Sequence, residues 1–204
     1  MQPPHLYAPQ TFKFTNTEHL SAASFAAHVA LYQAYVEQAN LVLTTLADSA
    51  AIAAVAPAAR TREALARRLS FETNGVLLHE FFFQQLEGSA DAQPPKGGTA
   101  VAAMKKNFGG YLPWLADIKL LSESRGSGWV VTLWDGEHQR LSNAWIDLHH
   151  LSVPIGQQLM FAVDMWEHAY WSDFGAKGRE KYFDSVILST DWKVVEQRFA
   201  LLAQ

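Results

Sequence analysis

Asp164-Met-Trp-Glu-His-Ala-Tyr170 sets a carboxylate four residues ahead of an imidazole, with a second carboxylate and aromatic rings between them. Carboxylate and imidazole are both donors to first-row metals. The preceding run, Gln158 to Val163, reads as a buried strand bounded by turn residues. Asp164 then falls at the carboxyl end of a strand and His168 on the helix that follows, so both can face one ion. The spacing alone also fits an aspartate that caps a helix with a packed histidine behind it. Other ligand-type residues must reach the same place to decide between the two.

Composition narrows the donors. The 204-residue chain contains no cysteine, which removes disulfides, thiolate zinc sites, iron-sulfur ligation and cysteine nucleophiles together. His and Asp/Glu are left as metal ligands. A net charge of -4, with no Lys/Arg run, argues against nucleic acid as a partner. A hydrophobic content of 49% is enough for an ordinary core, and no stretch has the length of a membrane span. The opening residues lack a basic segment followed by an apolar one, so the expected location is cytoplasmic.

The elements that must position a site follow from periodicity. Residues 1 to 19 have none and form an irregular arm. Ser21 is a good N-cap, and from Ala22 the residues Phe25, His28, Val29, Tyr32, Tyr35, Val36, Ala39, Leu43 and Leu46 recur at helical steps. His28, Tyr32 and Tyr35 share the buried face. Pro57 breaks the alanine-rich stretch that follows. A short helix from about Thr61 to Arg68 and a longer one from Phe71 to Glu87, capped by Ser70, come next, with His79 facing inward. Two long helices joined by a short segment predict an antiparallel α-hairpin, each arm offering one inward histidine.

Residues 88 to 98 are rich in Gly and Pro, and divide the chain into an arm and α-hairpin over 1–88, a linker over 89–98 and a C-terminal part over 99–204. In that part, helices from Thr99 to about Phe108 and from Tyr111 to Ser124 precede strands at Gly128–Trp134 and Arg140–Leu148, joined through Asp135-Gly136. The third strand leads to Asp164, and helices through His168, from about Arg179 to Leu188 and from Asp191 to Leu202 complete the chain. The fold class is therefore α+β, an α-hairpin followed by a three-stranded antiparallel sheet covered by helices.

Asp164-Met-Trp-Glu-His-Ala-Tyr170 resembles the D-x-W-E-H-A-Y signature of the iron/manganese superoxide dismutases. Leu78-His79-Glu80-Phe81-Phe82-Phe83 resembles that family's N-H-x-x-F-W, Gly126-Ser-Gly-Trp129 its G-S-G-W, and Asp191-Trp192 its N-W. The likeness implies one iron or manganese ion per chain, held by His28, His79, Asp164 and His168 with a solvent molecule. It implies disproportionation of superoxide to dioxygen and hydrogen peroxide. Tyr35 is the implied gateway hydroxyl, and Trp129 with Phe83 the apolar wall. His28 and Tyr35 stand seven residues apart where the family has eight, so both are expected to reach the site from a helix without a π-bulge.

The residue that bonds the metal solvent in the family lies either on the helix before His79, where Gly75 offers nothing, or at the end of the second strand. There we favour His150, with His149 next to it as the alternative. Glu167 is implied to reach across a twofold interface, making a homodimer. Trp171 stands where the family has a tyrosine, and Leu31 or Tyr32 where it has a histidine, so the expected interface is altered. Arg179 and Lys177 offer positive potential for an anionic substrate. Two other readings stay open. His79, Asp164 and His168 form the two-His-one-carboxylate set of non-haem iron oxygenases, and a dismutase-like fold could serve as a metal-binding or structural protein.

Overall fold

Ser21 begins the first long helix as expected: its Oγ accepts from Ser24 N at 3.1 Å, taking one of the N–H groups that a helix start leaves free. In the computed structural model, which describes residues 3–55, 57–91 and 93–202, α1 runs Ala22–Ala47 without interruption and buries His28, Tyr32, Val36 and Ala39 along one stripe. A short α2 (Ser49–Ala53), capped by Asp48, turns the chain. α3 (Ala58–Gln84) starts directly after Pro57, whose fixed φ suits a helix entrance.

α3 is one helix where the sequence predicts two. The cap expected at Ser70 is absent, and Asn74-Gly75 lie inside the helix. The residues before Ser70 are strong helix formers, and the later part is held against α1, so packing overrides the weak local preference of Asn-Gly. His28 meets His79, Tyr35 meets Phe71, and Arg62 reaches the Leu46 carbonyl, which makes the hairpin antiparallel. The irregular arm is pinned along it. Tyr7 and Asn40 exchange two hydrogen bonds, Gln10 N donates to Tyr32 Oη at 2.9 Å, and Phe12 and Phe14 pack edge-on to Phe83.

The second part follows the predicted order: α4 (Thr99–Phe108), α5 (Tyr111–Ser122), β1 (Gly128–Asp135), β2 (Arg140–Asp147), β3 (Gln158–Asp164), α6 (Glu167–Phe174), α7 (Arg179–Ser189) and α8 (Trp192–Leu202). The sheet has the order β2-β1-β3, with β1 antiparallel to both neighbours. β1 is buried along nearly its whole length, lying between two strands and under α5, whose Trp114 donates its indole N–H to Thr132 at 2.9 Å; on β3, Phe161 stacks on Trp192 of α8. Pairing of Trp129 with Asp164 sets an indole beside the carboxylate at the sheet's end.

One buried cluster extends from Leu20 to Phe199 and takes in α1, α3, the sheet and the C-terminal helices. No described helix is long and apolar enough to cross a membrane. Gln85, at the end of α3, joins the hairpin to the sheet. Its amide donates to the Ala162 carbonyl at 2.7 Å and accepts from Ala162 N at 3.4 Å, two residues before Asp164. Gln85→Leu would leave the buried Ala162 carbonyl without this donor. The expected cost is about 2 kcal/mol, read as a lower urea midpoint with an unchanged slope.

Candidate metal centre

Four elements bring one donor each to a common point. His28 comes from the middle of α1, His79 from the last third of α3, Asp164 from the final residue of β3 and His168 from the first turn of α6. Asp164 Oδ2 lies 3.1 Å from His28 Nε2, 3.4 Å from His79 Nε2 and 3.1 Å from His168 Nε2. All four donor atoms fall within 4.8 Å of one another. The first three residues are buried, and His168 forms the partly open edge, with its side chain 23% exposed.

Hydrogen bonds at the far side of each group aim the donors inward. His79 Nδ1 donates to the Gly75 carbonyl at 2.6 Å, a partner that can only accept, so the lone pair sits on Nε2. That Nε2 is buried and has no hydrogen-bond partner among the described residues. Asp164 Oδ1 accepts from Trp166 N at 2.9 Å, which leaves Oδ2 as the inward oxygen. Burial holds His28 and His79 below the ordinary imidazole value, so both are neutral and able to ligate. Burial works to raise Asp164, but the imidazoles of His168 and His28 outweigh it and keep the carboxyl well below its usual range. Neutral imidazole nitrogens, an orphaned lone pair and an ionised carboxylate oxygen are the donor set of a first-row cation, and these residues fit iron or manganese.

Beside the donors runs a second line of polar groups. Trp129 Nε1 can only donate, and it does so to His149 Nδ1 at 2.9 Å. His149 must therefore carry its proton on Nε2, which donates to Tyr35 Oη at 2.9 Å. The phenolic hydrogen of Tyr35 is left free to point elsewhere. Burial pushes His149 down to about 4, and burial with the charges of Asp164 and Glu72 raises the Tyr35 phenol. The neutral, singly protonated form is thus the one present at neutral pH. Tyr35 also lies against His79, ring centres 5.1 Å apart, and Phe83 stands edge-on to His28 at 4.9 Å.

Both His28 and Tyr35 reach inward from an unbroken α1, while Ala27 is exposed. The structure sets His149, not His150, against Tyr35 and Trp129. β2 ends at Asp147, and Leu148 has φ 54, so the chain turns and sends residue 149 inward. His150 packs against Phe71 at 5.6 Å, and its Nδ1 has no hydrogen-bond partner among the described residues. Glu167 is exposed and lies outside the donor cluster, beside Trp171, which is 53% exposed. Tyr32 turns its hydroxyl away to donate to Glu80 at 2.6 Å. Arg179 donates to the Ser122 and Gly126 carbonyls.

Two residues of the site carry no ligand chemistry and escape a search by residue type. Gly75 makes room for Tyr35: a Cβ there would come within 2.7 Å of the phenol ring. Trp166 stacks on His149 with ring centres 4.8 Å apart and so closes that side. The sequence marks Gly75, one turn before His79, only as a position with no side chain to offer; its part in seating Tyr35 appears in the packing.

Residues 95–198 match the family model described as iron/manganese superoxide dismutases, C-terminal domain. Among curated proteins, the chain is 32% identical over 173 residues to a Superoxide dismutase [Fe] of Cupriavidus metallidurans, covering 83% of this chain and 82% of that protein. It is 28% identical to a Superoxide dismutase [Fe] of Methanothermobacter marburgensis, over 84% and 83% of the two chains. It is also 28% identical to a Superoxide dismutase [Mn] 1 of Halobacterium salinarum, over 64% of each. The signature carrying Asp164 and His168, the convergence of His28 and His79 on the same carboxylate and these matches have one account: the chain belongs to the iron/manganese superoxide dismutase family, as a divergent member.

Proposed function

We propose that the protein is a superoxide dismutase that uses one iron or manganese ion held by His28, His79, Asp164 and His168. The observation that carries this reading is the convergence of three imidazole nitrogens and one carboxylate oxygen within 4.8 Å, beside the Tyr35–His149 pair. One-electron exchange with superoxide, in both directions, is the chemistry such an ion supplies when bound. Two superoxide anions and two protons then yield one dioxygen and one hydrogen peroxide. The chain has to hold the donors rigidly and handle the protons.

Its residues are suited to both tasks. The Gly75 carbonyl and the Trp166 amide fix the tautomer of His79 and the free oxygen of Asp164. Loss of such a supporting bond typically costs about 10–100-fold in metal affinity or activity. Tyr35 receives a hydrogen bond from His149 and keeps its own proton to donate, so it is the group we assign to proton delivery. His149 is its positioning partner, and Trp129 orients His149. Trp129, Phe83 and Trp166 keep bulk water from the remaining sides. The names of the similar proteins support iron and manganese alike.

The open edge at His168 is where we expect a second copy. Glu167, His168 and Trp171 occupy one exposed turn of α6, and a homodimer would cover it. In the family this region closes the site with polar groups, and here Trp171 stands instead. That departure supports a second reading, a metal-binding or structural protein with weak or no dismutase activity.

Elemental analysis of the purified protein should find about one iron or manganese per chain. Superoxide should decay on addition of the iron- or manganese-loaded form. His79→Ala and Asp164→Ala should each drop metal content to roughly a tenth or less. Full metal occupancy without superoxide decay would favour the second reading, and full occupancy in either variant would remove the site.

Stability of the metal-free protein should depend on pH with a definite sign. His28 and His79 lie below the ordinary value of 6.5 when folded and regain it when unfolded. The unfolded chain therefore binds more protons as pH falls below that value, and stability present above it is lost. Asp164, held low in the fold, acts in the same direction at lower pH. The urea midpoint should be lower at about pH 5.5 than at about pH 7.5; an equal or higher midpoint would contradict neutral, buried imidazoles.

A further inference from the structure

We propose that Leu148 and Asn74 are positioning residues that together aim His149 at Tyr35. The use made of the aimed bond rests on the dismutase reading above; the aiming itself does not.

Leu148 has φ 54, a left-handed conformation that a branched L side chain enters at a cost of about 1–2 kcal/mol. Such a residue persists where its surroundings over-determine it. Here three hydrogen bonds from three parts of the chain hold the two-residue corner. Leu148 N donates to the Ser127 carbonyl at 2.9 Å, ahead of β1. The Leu148 carbonyl accepts from Trp166 Nε1 at 3.3 Å, ahead of α6. The His149 carbonyl accepts from Asn74 Nδ2 at 2.9 Å, on α3.

Core packing does not explain the strain. Leu148 is half-buried and is not among the residues that form the core cluster or pack on it. What the corner changes is the direction of the next side chain. At the end of β2, Ile146 is buried and Asp147 exposed; the left-handed step at Leu148 turns the chain there, and His149 is buried, with Trp129 and Tyr35 occupying its two nitrogens. The three clamping segments are the ones that carry Trp129, His168 and His79. Any slack in the corner would therefore register in the Tyr35 bond. Asn74 has a particular part, since it ties the His149 main chain to the same turn of α3 whose Gly75 seats the Tyr35 ring.

The proposal inverts the usual expectation for conservative replacement. At Leu148, asparagine tolerates a left-handed backbone and valine, though closer to leucine in character, does not. The full-length protein and its Leu148→Asn, Leu148→Val and Asn74→Leu variants should be compared by hydrogen exchange of the His149 Nε2 proton in NMR, with superoxide decay followed in parallel on iron- and manganese-loaded samples. Leu148→Asn should exchange as slowly as the parent. Leu148→Val and Asn74→Leu should exchange roughly tenfold faster or more, the equivalent of one buried hydrogen bond.

If Leu148→Val does not fold, Leu148→Gly replaces it, because glycine accepts the dihedral without holding it and should exchange faster than Leu148→Asn. Valine or glycine exchanging no faster than asparagine would overturn the role of Leu148. Unchanged exchange in Asn74→Leu would overturn that of Asn74. A parent protein that leaves superoxide untouched defeats the dismutase reading, while the exchange rates still decide the corner.

Discussion

Asp164 Oδ2 is the point on which the structure turns. Three imidazoles from three separate helices lie within 3.4 Å of this one buried oxygen. An ionised carboxylate in an apolar interior is costly unless paired, and with Oδ1 bonded to Trp166 N, Oδ2 is compensated among the described residues by His28 Nε2 and His168 Nε2, each at 3.1 Å, or by a cation bound among the donors. The requirement runs outward through the fold. β1 must pair with β3 so that Trp129 comes beside Asp164, and α1 must pack on α3 so that His28 reaches the same oxygen as His79.

Polar satisfaction is arranged from the periphery inward. Gly75, Trp166, Trp129 and Asn74 each use a backbone or side-chain group to fix a residue that then faces the site. The consequence is a site whose central atoms have few alternatives: His79 Nε2 has no partner among the described residues, and Tyr35 has a spare proton. A cation and a proton acceptor are what these two vacant valences call for. The strain at Leu148 and the close approach at Gly75 are local costs of that arrangement, and both lie within the segments that hold His149.

Much of this was legible in the sequence because periodicity carries it. The stripe through His28, Tyr32 and Tyr35 follows from helical spacing, and the strand before Asp164 from an apolar run, so the hairpin, the sheet and an inward histidine on each arm could be read without coordinates, while the set of four ligands comes from the likeness to the iron/manganese superoxide dismutases. Two things could not. The continuity of α3 through Ser70 and Asn74-Gly75 depends on packing against α1, which local preference does not contain. The choice of His149 over His150 depends on one backbone angle, since reversing the sign of φ at Leu148 redirects the next side chain and no residue type there announces it. Leucine is among the last residues that one would expect in a left-handed corner.

The edge at His168 follows a different logic from the rest of the site. Elsewhere each group near the donors is closed off by an aromatic ring, Trp129, Phe83 or Trp166, whereas His168 is partly exposed and the neighbouring Trp171 turns more than half its surface outward. An indole on an exposed turn gains by being covered. A carboxylate beside it, Glu167, makes a purely apolar cover unfavourable, because the charge would have to leave water without a partner. Whatever covers this turn must therefore supply an apolar surface for Trp171 and a hydrogen-bond donor for Glu167 together.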